Sequence, residues 1–347
     1  NSVNLVYGGS GSASSDRTGA KTISDSLAAA GFQVNETLKK FYMDTGKSGG
    51  GRANNPSMES GVPTGIEVGE TPLASYTDDV IDSFKGSDAA LVVISRISGE
   101  GWDLPRSMKD KNGNALAGAM SPDDHYLELD KNEQEMLKLA CEHLNKVIVV
   151  INSSNAMELG FLDSMDDHDE TTIDYDFASH IDGALWIGGM GNEGILALGS
   201  ILNGAVNPSG RLTDTYVRDF SQDPTWQNFS VNLGSTDRKA DGGTGNSYYV
   251  DSADRKGNYL GKYTGYFYVE YEEGIYVGYR YWETAAHEGF IDYNKSVVYP
   301  FGYGLSYTDF IQTFDSLEKK TDKDGNACYE ATVTVKNSGS VAGKDVV

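Results

Sequence analysis

The sequence predicts an α/β fold, a mostly parallel sheet sandwiched by helices (α/β/α), followed by the beginning of an all-β sandwich. Three observations carry this. Short, continuously apolar runs at residues 89–94 and 147–151 read as strands covered on both faces. Segments with helical spacing lie between and after them, so strand and helix alternate from residue 20 to 216. Beyond Phe310 the chain changes character, and residues 329–336 alternate with a period of two.

Taken in order, the N-terminal residues 1–19 are rich in Gly and Ser, and Gly8-Gly9-Ser10-Gly11-Ser12 forms a loop with exposed N–H groups and hydroxyls. It lacks the third glycine of a dinucleotide fingerprint and the lysine of a P-loop. Residues 21–31 predict a helix with Ile23, Leu27 and Ala30 on one face, stopped by Gly31. Residues 32–34 alternate like a short strand, and 35–42 and 78–84 predict short helices. Between these lies a polar insertion at 45–75. A second long loop spans 104–127.

A helix is expected over 130–144, where Asp130-Lys131-Asn132-Glu133 has the spacing of a capping box. Further expectations are a strand at 146–152, a helix at 158–165, a strand at 181–187, a helix at 192–202 ended by Asn203-Gly204, and a last strand at 212–216. From 217 to 308 the periodicity fades, with a long loop at 217–262 whose residues 237–262 are a polar, Gly-rich surface excursion, and an aromatic-dense stretch from Tyr263 to Tyr281.

With 51 acidic against 28 basic residues, the net charge is −23. Such a field repels nucleic acid and anionic membrane surfaces, so neither is an expected partner. No apolar run reaches the roughly 20 residues of a membrane span. The chain reads as soluble, and because it begins at Asn1 and not Met, both a cytoplasmic and a secreted location stay open. Two cysteines, Cys141 and Cys328, do not make a disulfide framework. The five histidines, His125, His143, His168, His180 and His287, show no ligand spacing and read as surface or internally satisfied residues. The acidic run from Asp163 to Asp176 lacks EF-hand spacing, so no metal or cofactor is expected.

The stretch richest in chemistry is Ser95-Arg96-Ile97-Ser98-Gly99-Glu100-Gly101-Trp102-Asp103, which follows the 89–94 run. Glycine on both sides of Glu100 frees the backbone to present a carboxyl group at the carboxyl end of a strand, where open α/β sheets hold their ligands. Trp102 adds an apolar wall; Asp103 is the rival acid, without the paired glycines. Arg96 either pairs with a carboxylate under the loop or caps the sheet edge, a structural role in both cases. Arg280 likewise reads as structural. The aromatic-dense stretch reads as core or domain interface in preference to a sugar-stacking surface.

These segments in this order resemble glycoside hydrolase family 3. The resemblance rests on Tyr7-Gly8-Gly9-Ser10-Gly11-Ser12, on Ile94-Ser95-Arg96-Ile97-Ser98-Gly99-Glu100-Gly101, on Asn207-Pro208-Ser209-Gly210-Arg211-Leu212, on Tyr271-Glu272-Glu273-Gly274-Ile275-Tyr276-Val277-Gly278-Tyr279-Arg280-Tyr281, and on Phe301-Gly302-Tyr303-Gly304-Leu305-Ser306-Tyr307. Residues 333–347 resemble the opening of the family's fibronectin type III-like domain.

The resemblance implies an α/β/α sandwich domain over 1–308, beginning just after its first strand, and the start of the fibronectin type III-like domain over 309–347. The family's (β/α)8-type barrel, which supplies the nucleophilic aspartate and most sugar contacts, has no counterpart pattern here. It implies part of a retaining, exo-acting β-glucosidase that removes terminal β-linked glucose, with Glu100 as general acid/base, Ser12 touching the sugar, and Ser10, Gly11 and Trp102 shaping the subsite. The expected partners are a β-glucoside or oligosaccharide and the missing barrel segment, without which the chain is inactive. The 45–75 and 104–127 loops are candidates for lids or a homodimer contact. The alternatives are β-xylosidase or N-acetylhexosaminidase activity within the family, a non-catalytic carbohydrate-binding or interaction module, and a nucleotide-binding protein, which the missing fingerprint and the charge disfavour.

Overall fold

The computed structural model describes residues 2–3, 5–8, 16–44, 70–96, 108, 113–115, 118–163, 176–226, 258–259, 262–263, 271 and 273–347. In chain order the elements that matter here are α1 (Ile23–Ala29), α2 (Glu36–Met43), α3 (Asp78–Asp82), β1 (Ala90–Arg96), α4 (Lys131–His143), β2 (Val147–Ser153), β3 (Gly183–Trp186) and α5 (Leu196–Leu202). After them come β4 (Tyr216–Val217), α6 (Tyr279–His287), β5 (Val297–Tyr299), β6 (Phe310–Thr321) and β7 (Ala327–Asn337).

β1, β2 and β3 form a parallel sheet in sequence order. Alternate residues of each strand feed two cores. Val92, Ile94, Val147, Val149 and Ile151 pack with Met136, Leu137 and Ala140 of α4 and with Leu159, Phe161 and Phe177. Val93 and Val150 face the other way, onto Leu5, Ile23, Ile195 and Leu198. Helices therefore cover both faces, which is why the strands are continuous apolar runs. On the second face α1 and α5 meet closely. A Cβ on Gly199 would stand 2.3 Å from the Ser26 carbonyl oxygen, and the Ser26 hydroxyl accepts from the Gly199 N–H and donates to the Ile195 carbonyl.

Local signals place the helix ends. Asp130 caps α4, accepting from the Glu133 N–H at 2.7 Å, while Glu133 accepts from the Asp130 N–H at 3.1 Å. Thr22 and Asp25 make the same box on α1. Three expectations fail for identifiable reasons, and one helix has no counterpart in the sequence reading. Residues 32–34 are not a strand, because the Phe32 N–H turns back to the Leu27 carbonyl and caps α1. Within 158–163 there is a single 3-10 turn, Gly160–Leu162, where a helix was expected. Leu212 does not join the parallel sheet: it exchanges backbone hydrogen bonds with Gly302 and Tyr303, and only β4 pairs, antiparallel, with β5. The aromatic-dense stretch ends in a helix, α6, whose Trp282 is buried against Val217 and Val297; the aromatic run hid its 3.6-residue spacing.

β6 and β7 form the antiparallel ribbon that opens the all-β part of the fold. Apolar side chains such as Phe314, Leu317 and Tyr329 stay exposed on it, since a two-stranded ribbon alone has no sheet to pack against. The ribbon is tied to the α/β layer by polar clasps. Asn207 accepts from the Tyr307 N–H at 2.8 Å and the Ser306 hydroxyl at 3.0 Å, and donates to the Ala342 carbonyl. Arg211 donates to the Gly304 carbonyl and pairs with Asp345 at 2.7 Å.

Beneath the carboxyl end of β1 lies the most buried ion pair. Arg96 (0% exposed) meets Glu133 through two hydrogen bonds of 2.7 Å. It also donates to the carbonyls of Ser95, Tyr126 and Glu128. Of the two sequence readings for Arg96, pairing with a carboxylate is the one found. Removing one partner strands a buried charge, so Arg96→Met or Glu133→Gln alone is expected to lower stability by about 3–5 kcal/mol in urea denaturation. The double variant Arg96→Met/Glu133→Leu is expected to recover part of that loss in a double-mutant cycle.

Candidate functional site

In a parallel sheet the loops leaving the carboxyl ends of the strands share one edge. Here that edge is formed by the exits of β1 at Arg96, β2 at Ser153 and β3 at Trp186, held in register by Arg96 opposite Ser153 and Ile151 opposite Trp186. The N-terminal segment 5–8 joins them. Asn152, fully buried near the end of β2, holds it with two hydrogen bonds, accepting from the Val6 N–H at 2.7 Å and donating to the Val6 carbonyl at 2.9 Å, and makes a third to the Gly188 carbonyl at 2.7 Å. The Gly191 N–H donates to the Tyr7 carbonyl at 2.6 Å. Gly189 lies so close to Gly8 that an added Cβ would stand 3.2 Å from the Gly8 Cα. The glycine-rich loop thus starts from a point fixed by the β2 and β3 exits.

Of the residues expected at the site, Glu100, Trp102, the rival Asp103, Ser10, Gly11 and Ser12 lie outside the described residues. What is described is the frame on either side of them, Gly8 before the glycine-rich loop and Arg96 before the Glu100 loop. Trp186, absent from the sequence reading, stands at the same edge. It is 47% exposed, donates its Nε1–H to the Ser153 carbonyl at 3.0 Å, and lies under Gly188, whose φ of +57° permits the turn. An exposed tryptophan ending a strand was the available signal.

A second group went unnoticed in sequence. Of the two readings for His125, internally satisfied is the one found: it is buried, and Glu128 and Glu158 converge on it. Its Nε2 lies 2.9 Å from Glu158 and 3.4 Å from Glu128. Its ring rests 5.2 Å from Trp226 and 5.9 Å from Phe220. Glu158 also accepts from the Phe220 N–H at 2.7 Å. Residues 125 and 158 are too far apart in sequence for any spacing rule to join them.

By proximity alone the three could hold a divalent cation, since their ligand atoms lie within 4.8 Å of one another. The backbone argues otherwise. The Leu127 N–H donates to His125 Nδ1 at 3.2 Å, which puts the ring proton on Nε2, aimed at Glu158 and unavailable to a metal. Burial is the largest cause pushing the Glu128 carboxyl up, to about 7; the Glu158 charge adds to the rise and His125 opposes it. For His125 burial works against the charged form, yet the bond to Glu158 and the charges of Glu158, Glu128 and Asp219 outweigh it and raise its pKa.

Residues 3–279 match the family described as the glycosyl hydrolase family 3 C-terminal domain. The chain belongs to that family. Among glycosyl hydrolase family 3 relatives it is similar to β-glucosidase A of Butyrivibrio fibrisolvens, at 31% identity over 300 residues, covering 82% of this chain and 30% of that protein. The chain therefore spans under a third of that relative's length. Two solved structures share the fold: a β-glucosidase from Paenibacillus barengoltzii (TM-score 0.62, 24% identity, 97% of this chain and 29% of that one) and β-glucosidase 3B from Thermotoga neapolitana in complex with glucose (TM-score 0.62, 24% identity, 99% and 37%). In this chain the segment 207–211 meets the segment 301–307 through the Asn207 and Arg211 clasps described above.

Asn152→Ala leaves the Val6 N–H and two carbonyls unpaired, and is expected to cost about 1–3 kcal/mol in thermal unfolding, with faster hydrogen exchange at the Val6 amide. Glu128 gives a pH signature. Its folded carboxyl holds a proton between about pH 4.3 and 7, where the unfolded one does not, so stability falls as pH rises through that window. The raised pKa of His125 acts in the same direction, with its contribution lost as pH rises through the folded value. Glu128→Gln is expected to flatten the slope of unfolding free energy between pH 5 and 8, measured by denaturant titration at each pH.

Proposed function

We propose that this chain is part of a retaining, exo-acting glycoside hydrolase, a β-glucosidase, and that it supplies the general acid/base, Glu100. The observation that carries the proposal is the position of β1. Its buried carboxyl end, pinned by Arg96, stops just short of Glu100 in sequence, at the edge where the segment 5–8 is also fastened. The β-glucosidases among its relatives support the choice of substrate over the xyloside and N-acetylhexosaminide alternatives.

The chemistry follows from two carboxyl groups about 5–5.5 Å apart. Glu100 gives its proton to the glycosidic oxygen as the bond to the sugar's anomeric carbon breaks and the nucleophile takes that carbon. Glu100, now a carboxylate, then removes a proton from the water that releases the sugar. The nucleophile belongs to a barrel segment outside this sequence, so the chain alone has half the machinery and is inactive. Ser12, with Ser10 and Gly11, contacts or shapes the sugar subsite, and Trp102 lowers the polarity around Glu100 so that it starts protonated.

In the full-length enzyme, Glu100→Ala is expected to cut turnover of substrates with poor leaving groups by roughly 10²–10⁴. Dinitrophenyl glucosides, which leave without a proton, should retain most of their first step, and added azide should accelerate turnover by forming the glycosyl azide. Equal activity of the variant on all substrates would refute the assignment.

A further inference from the structure

Two carboxyl groups share one imidazole, and a later piece of chain closes over all three. Oxygens of Glu128 and Glu158 lie within 4.8 Å of each other, on side chains only 26% and 13% exposed. His125 offers a single proton between them. Its Nδ1 accepts from the Leu127 N–H at 3.2 Å, so the ring proton sits on Nε2. Nε2 is 2.9 Å from Glu158 and 3.4 Å from Glu128, so Glu158 takes the bond. Glu128 is left beside a like charge with little water around it, and two carboxyl groups so placed do not both ionise readily. Burial first, and then the Glu158 charge, push the Glu128 carboxyl up to about 7.

The covering piece is the segment 219–226. The Phe220 N–H donates at 2.7 Å to the same Glu158 oxygen that meets His125. The rings of Trp226 and Phe220 rest 5.2 and 5.9 Å from the imidazole. Asp219 turns the segment by accepting from the Ser221 N–H at 2.8 Å. Its charge reaches His125, as that of Asp124 reaches Glu128. Arg218, beside Asp219, is paired with Asp163. The other walls are fastened from behind. Arg96 holds the carbonyls of Tyr126 and Glu128, and the Glu158 N–H holds the Leu127 carbonyl at 3.0 Å.

We propose that the 219–226 segment is a proton-controlled cover, closed over His125, Glu128 and Glu158 while Glu128 holds a proton and lifted when that proton leaves. An ionised Glu128 adds a third negative group to Glu158 and Asp219 around one ring. Water relieves that repulsion, and it reaches the carboxylates where the cover leaves. Lifting returns Glu128 to the ordinary carboxylate range, about 4.3. The closed state is therefore favoured at low pH. Its advantage shrinks between about pH 4.3 and 7 and is level above that. The device does not depend on which substrate the enzyme takes.

The test is amide hydrogen exchange at Phe220 in the full-length protein, corrected for the intrinsic pH dependence of exchange. Between pH 5 and 6.5 its protection is expected to fall about tenfold. The Phe220 rate is expected to be insensitive to low urea, unlike that of Val149 in the central strand, because a local opening exposes little surface. Glu128→Gln has no carboxyl proton to lose, and is expected to hold the Phe220 protection within about threefold over the same pH range. Glu128→Ala serves in its place if the glutamine variant does not fold. Three results overturn the proposal: a wild-type change below about threefold, a urea response at Phe220 matching that of Val149, or the wild-type fall persisting in the variant. Failure of both variants to fold overturns it as well, since Glu128 would then serve the fold in general.

Discussion

The buried pair of Arg96 and Glu133 is the interaction on which the rest of the functional edge depends. An ion pair in a low-dielectric interior is tolerated only when its remaining hydrogen-bonding capacity is filled. Arg96 fills it with the carbonyls of Ser95, Tyr126 and Glu128, and Glu133 with the capping bond to the Asp130 N–H. Four residues are therefore tied to one guanidinium: Ser95 at the end of β1, Glu133 in the first turn of α4, and Tyr126 and Glu128 ahead of that helix. The arrangement adds little net stability over an apolar replacement. Its effect is on geometry, because a planar fork with fixed donors accepts few alternatives.

The second clasp, Asn152, works by the same logic with a neutral side chain. Its amide offers one acceptor and two donors, and all three are used, on the N-terminal segment and on the β3 exit. The strands themselves are apolar and interchangeable in register terms; Val, Ile and Leu at these positions do not say which loop goes beside which. Polar groups placed at the last turns of β1 and β2 do. The carboxyl edge of the sheet is consequently a polar frame built on an apolar slab, with the Arg96 and Asn152 side chains hydrogen-bonded through every donor they carry.

The chain belongs to glycosyl hydrolase family 3 and covers 30% of the length of its relative β-glucosidase A. The net charge of the chain is −23, and Glu128, Glu158 and Asp219 surround His125 with carboxyl groups. Burial raises the Glu128 pKa to about 7, so its carboxyl is only partly ionised near neutral pH.

Much of the fold was legible because it is governed by local, periodic signals. The runs at 89–94 and 147–151 could only be covered strands, and Asp130 with Glu133 could only be a helix start, since both depend on neighbours within four residues. The capping role of Phe32, the diversion of Leu212 to Gly302 and Tyr303, and the helix at Tyr279–His287 were not legible, since each is decided by a partner distant in sequence or masked by aromatic composition. The same divide runs through the site. Glycines on either side of Glu100 and the ordered motifs around it are written in the sequence, and they determined the family. That Glu133 is the partner of Arg96, that His125 meets Glu158, and that Asn152 holds Val6 are contacts across 37, 33 and 146 positions. No residue type or spacing encodes a contact at such separation; only the stacking of helices on both faces of the sheet, which brings the exits of its strands to one edge, decided them.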